Sequence, residues 1–186
     1  MKIQKIDDSK DQNILILIAS ALILVAVFSR LLPHPPNFTS IAAVAIFGGA
    51  VLPRRWALSL PVAAMIMSDI IIGFHPLVLL IWASFVAIAF LSSLLIRQAK
   101  PPGVVGASFG ASIFFYLVSN FGVWLEGRMY PMTLPGLMDS YYMALPFFRN
   151  TLLGDLVFTG LLFGVYALVS KLVSVKVHPL TLAVKS

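Results

Sequence analysis

The chain has 186 residues, of which 60% are hydrophobic and 11% charged, with a formal net charge of +6 and no cysteine. A soluble domain carries about a quarter charged residues and under half apolar ones, so this composition belongs to a protein whose solvent is lipid. The missing cysteine excludes disulfides, thiolate nucleophiles, iron–sulfur clusters and cysteine zinc sites, and the basic residues flank apolar runs instead of forming a nucleic-acid patch.

The apolar runs predict an all-α polytopic membrane protein: a bundle of six transmembrane helices with both termini cytoplasmic. A polar tail, residues 1–12, comes first. The run from Asn13 to Leu32 follows; it is too long for the apolar region of a secretory signal and has no small-x-small cleavage site, so it reads as retained. The second run, Phe38 to Leu52, lies between Pro35, Pro36 and Pro53. It is short, and crosses only with flanking help, in a thinned bilayer, or as a re-entrant segment. Trp56 to Phe74, Leu77 to Ile96 and Gly103 to Leu125 come next. Glu126 to Arg149 reads as a long outer loop holding Tyr130, Pro131, Pro135, Tyr141, Tyr142 and Pro146, either an aromatic belt lying on the bilayer or a lid over a binding site. Asn150 to Ser170 is the sixth run, the transmembrane domain is 13–170, and 171–186 is a cytoplasmic tail. Five of the runs have the roughly 20 residues needed to cross about 30 Å of hydrocarbon.

Charge bears on whether the second run crosses, because Lys and Arg beside membrane spans collect on the cytoplasmic side. With six spans, Lys2, Lys5, Lys10, Arg54, Arg55, Arg97, Lys100, Lys171, Lys176 and Lys185 lie inside, against Arg30, Arg128 and Arg149 outside. That is ten against three, and without the second crossing it becomes eight against five.

This topology places the other polar residues in the outer half. Asp69 precedes His75 by six residues, and so lies about 9 Å below the end of its helix; Asp155 lies at a similar depth below Asn150. Carboxylates inside spans are costly unless partnered, and Arg30 and Arg149 stand at comparable depth, so the four predict ion pairs or one polar site. Ser108, Ser112, Tyr116, Asn120 and Trp124 recur every four residues along one face of the fifth helix. Its outer end, Asn120 and Trp124, reads as a pocket wall, and Ser108 and Ser112 as packing. Gly49 after Ala45, Ala87 after Ala83, Gly110 after Gly106 and Gly164 after Gly160 have the small-xxx-small spacing of close helix contact, or of a docking surface where one faces outward. The chain has no phosphate-binding loop, no histidine pair of metalloprotease spacing and no nucleophile–base constellation, so no enzyme, cofactor or resident metal is expected.

The whole-chain pattern resembles the substrate-binding S components of energy-coupling-factor vitamin transporters, which are small, basic, six-helix proteins with a solute site opening outward beneath a long loop. The runs from Arg30 to Ala50, Ser68 to Pro76 and Leu145 to Phe158 also resemble an uncharacterised family of small bacterial integral membrane proteins. The first resemblance implies a subunit of the inner membrane that binds a small micronutrient, energised by a transmembrane coupling subunit and ATPases. Its expected binding residues are Arg30, His34, Asp69, His75, Asn120, Trp124, Tyr141, Arg149, Asn150 and Asp155, with Tyr130 and Tyr142 as further aromatic contacts. The alternative is an assembly protein whose outer charges form a structural ion-pair network.

Overall fold

The computed structural model describes residues 12–96 and 100–181, the last ten of them by backbone alone. The N-terminal tail, Arg97 and the chain beyond residue 181, on which part of the charge argument rests, lie outside the described residues. Among the described residues the fold is all-helical: α1 (Gln12–Leu31), α2 (Ile41–Val51), α3 (Arg54–Ile72), α4 (Val78–Leu95), α5 (Pro101–Leu125) and α6 (Leu134–Thr181). Five of the six are long and apolar enough to cross a membrane, and α2 is shorter.

Local chemistry sets the boundaries. The backbone of Leu52 turns extended (ψ 160°) before Pro53, as a residue preceding proline must, and this ends α2. Pro101 and Pro102 open α5, where their missing N–H groups are not needed. At the end of α3 the chain leaves through Gly73 (φ 106°, ψ 150°), a conformation closed to residues with a Cβ.

Burial separates the helices into one core element and five surrounding ones. Every residue of α2 is buried, and its apolar side chains point all round, as expected of a helix sheathed by protein on every side. It packs against α1, α3, α4, α5 and α6. In the five long helices only 22–39% of the most apolar stretch is buried. Leu17, Ile70, Ile71, Leu79, Leu95 and Leu161 are all more than half exposed. A surface this apolar on this scale needs lipid to cover it, and the chain reads as a multi-pass membrane protein.

The helices alternate in direction. Arg30, near the end of α1, touches Ser68 and Asp69, near the end of α3, so those two run in parallel. Ser112 of α5 meets Asp155 of α6, and Tyr116 meets Tyr141, as in an antiparallel pair. One end of the bundle therefore gathers Arg30, His34, His75 and the α5–α6 turn, and the other gathers Arg54, Arg55 and Lys100.

The largest difference from the sequence reading is the connection between α5 and α6. It spans 126–133 instead of 126–149, and α6 begins at Leu134, sixteen residues before the expected Asn150. Hydropathy marks the apolar part of a helix, and the stretch holding Pro135, Asp139 and Pro146 falls below it. Pro135 sits in the first turn, where proline is tolerated. Interior Pro146 gives up one backbone hydrogen bond. Packing on α5 carries the helix through: Tyr116 Oη donates to the Tyr141 carbonyl at 2.7 Å and Tyr141 Oη to that of Leu117 at 3.0 Å.

Candidate functional site

At the Arg30 end of the bundle a cavity of about 550 Å³ opens among the helices. Its polar wall includes Arg30, His34, Asn37, His75, Tyr116, Asn120, Thr151 and Asp155, and its apolar wall includes Phe85, Phe115, Phe147 and Phe148. Phe85 of α4 and Phe115 of α5 stack at 4.9 Å.

Arg30 reaches the cavity from the last turn of α1 and is anchored beneath it. Its Nη1 lies 2.7 Å from Asp69 Oδ1, while the N–H groups of that nitrogen point to Ser68 Oγ and Met65 Sδ. Contact with the carboxylate is thus mainly charge against charge. Asp69 is fully buried, and its Oδ2 accepts a hydrogen bond from Trp82 Nε1 at 2.8 Å. A carboxylate at this depth is costly unless partnered, and Arg30 and Trp82 are its partners. Asp69 is therefore a support for Arg30 and does not line the cavity.

Ser112 Oγ of α5 stands 2.6 Å from Asp155 Oδ2 on α6. Asp155 is 3% exposed, and that remnant faces the cavity. Asn120 donates an amide hydrogen to the Tyr116 carbonyl at 2.8 Å, which leaves its own carbonyl oxygen free to accept. The His34 ring is held between the carbonyls of Pro35 and Arg30, at 2.7 and 3.2 Å. His75 is exposed at the rim.

Of the ten residues expected in a site, Arg30, His34, His75, Asn120 and Asp155 line this cavity, and Asp69 lies directly behind Arg30. The other four stand elsewhere. Trp124 Nε1 closes the α5–α6 turn on the carbonyls of Pro131 and Thr133, both at 3.1 Å. The Tyr141 hydroxyl is spent on Leu117, and Asn150 is half-buried outside the cavity lining. Arg149 is exposed and pairs with neither carboxylate; it lies about 22 Å along α6 instead of at its mouth, and six residues of helix turn it to a different face from Asp155. Of the further aromatic contacts, Tyr130 is half-buried and Tyr142 is 68% exposed, and neither lines the cavity.

Sequence reasoning missed Trp82, Thr151 and the phenylalanine wall. An aromatic residue in an apolar run carries no periodic mark of which neighbour it meets. Tyr116, on the four-residue ridge of α5, did carry such a mark.

The match to a family model covers residues 10–178, nearly the whole chain, and that model describes a family of unknown function, DUF6580. The chain belongs to DUF6580. No curated protein and no solved structure matches it. Membership agrees with the resemblance to a family without an established activity, and the likeness to vitamin-transporter S components gains no support from it. For this DUF6580 chain the argument for function rests on the cavity.

Proposed function

We propose that the chain is a membrane-embedded solute-binding protein for uptake of a small micronutrient, a vitamin or cofactor precursor, with the cavity at the Arg30 end as its site. The observation that carries this reading is the mixed wall of that cavity. Arg30, Asn120 and Asp155 offer a cation, an acceptor and a carboxylate, and the stacked Phe85 and Phe115 with Phe147 and Phe148 offer flat apolar area. A few convergent polar groups to fix orientation, with aromatic area for contact, is what a small-molecule site requires, and about 550 Å³ falls in the range such sites occupy. In this reading α2 completes a six-span bundle in the cytoplasmic membrane and the cavity opens outward. Energy comes from partner ATPases through a coupling subunit, as in S components.

The test is a thermal-shift screen of detergent-purified protein against vitamins, cofactor precursors and metal–ligand complexes, since a ligand bound only by the folded state raises apparent stability. A hit abolished by Asn120→Ala or Asp155→Asn supports the site. A hit that survives both variants, or silence across a broad panel, overturns it.

A second reading, an assembly protein, draws on the closed network of Arg30, Asp69, Ser68 and Trp82, which is satisfied within the chain. It predicts that Asp69→Asn lowers stability or complex formation while no solute stabilises the protein.

A further inference from the structure

Below the cavity floor, α5 and α6 meet through Ser112 and Asp155, and helical spacing carries the line of buried oxygen groups on from that pair. Asp155 and Ser112 face each other at its top, with Ser112 Oγ 2.6 Å from the carboxylate and 3.0 Å from the Ser108 carbonyl. One turn further along each antiparallel helix come Ser108 and Thr159, the positions i−4 and i+4 from that pair. Ser108 is fully buried and Thr159 is 2% exposed, and neither hydroxyl has a hydrogen-bond partner.

Two orphan hydroxyls in one seam need an explanation, because each forfeits its hydration for nothing. Charge points the same way. Arg30 is engaged with Asp69, and among the described residues no cation pairs with Asp155. The other ionisable groups on the cavity wall are His34, His75 and Tyr116, and none of them is bonded to Asp155. The seam therefore presents one carboxyl group and three hydroxyls, all hard oxygen donors.

We infer that this seam is a binding site for a monovalent cation of sodium's kind. The Asp155 carboxylate supplies the charge, and Ser108, Ser112 and Thr159 supply neutral oxygens. A divalent ion fits less well, since calcium and magnesium sites draw on several carboxylates or retain water, and no cluster of three acidic or histidine side chains exists among the described residues. The site goes beyond the solute reading and stands without it: the cation can bind whether or not the cavity takes a micronutrient.

The test uses the full chain, purified in detergent in choline chloride, with sodium or potassium chloride exchanged in at constant ionic strength. Melting temperature and radioactive sodium binding are read together. The expected result is a saturable rise in melting temperature with sodium and binding of one ion per chain. In the double variant Ser108→Ala/Thr159→Val, apparent sodium affinity falls by roughly tenfold or more, while stability in choline is equal to or above that of the parent, because orphan hydroxyls are removed. Asp155→Asn abolishes the response; if that variant does not fold, the double variant decides. Three results overturn the site: a melting temperature indifferent to either cation, which means buried water satisfies the hydroxyls; one that follows pH but not cation, which means a proton balances Asp155; and a sodium response undiminished in the double variant, which places the ion elsewhere.

Discussion

Asp69 shows how a single carboxylate is held inside a lipid-covered bundle. Its two oxygens are used by Arg30 and Trp82, and its removal leaves the guanidinium without its counter-charge. Breaking one partner of a buried pair costs about 3–5 kcal/mol, and since Arg30 remains 16% exposed the lower end applies. Asp69→Asn is therefore expected to destabilise the purified protein by about 3 kcal/mol. Adding Arg30→Met should restore part of that loss, because the double variant buries no lone charge. Unfolding followed by tryptophan fluorescence checks both, and additive losses in the double variant would show the pair to be uncoupled. The depth of Arg30 and Asp69 was legible in the sequence, since charged residues inside apolar runs must find each other. Trp82 was not, because the contact depends on how α3 turns against α4, and no spacing in either run encodes that rotation.

At the scale of helices, Gly49 fixes how closely α2 approaches α4. A methyl group placed on it would run into the Ala89 carbonyl and the Ser92 side chain, whereas one on Gly110 of α5 would meet open space. Gly49→Ala thus forces apart two backbones in the centre of the molecule and should cost about 1–3 kcal/mol, the usual penalty of overpacking. Gly110→Ala should be neutral or slightly stabilising, since alanine is the better helix former. Equal effects of the two in thermal unfolding would refute the close α2–α4 contact. The sequence marked both glycines by the same small-xxx-small spacing and could not tell the inward one from the outward one. Helix ends fared better. α1, α3, α4 and α5 begin and end within two residues of the apolar runs, because proline, glycine and charge bound both. α6 departed from its run because tyrosine contacts with α5, a tertiary cause, carry the helix past the apolar stretch.

For the whole molecule, the short α2 bears on the orientation that the solute reading proposes. Eleven residues rise about 16 Å, roughly half the hydrocarbon thickness, yet α2 lies inside a sheath of five helices and needs no lipid match of its own. At the start of α3 the Arg54 guanidinium lies 4.5 Å over the Phe90 ring of α4 and that of Arg55 5.9 Å over Trp56. Amphipathic arginine stems placed in this way reach back toward the interface, so both charges still count for orientation. At the opposite end Arg30 and Arg128 are tied to Asp69 and Glu126. In the solute reading, lysine and arginine bias puts the Arg54 end in the cytoplasm and the cavity outside. A chain without native cysteine makes this directly measurable. In intact cells, a membrane-impermeant maleimide should label Met129→Cys, which is 72% exposed in the α5–α6 turn, and should reach Pro102→Cys and Arg54→Cys only after permeabilisation. Labelling of Arg54→Cys from outside while Pro102→Cys stays protected would put the two ends of α4 and α2 on different sides and undo the six-span reading. Reversal of all three would turn the cavity away from the outside: with Asn13→Cys, exposed at the start of α1, also labelled from outside the whole bundle is inverted and the site serves release or export, and with Asn13→Cys protected the second run does not cross.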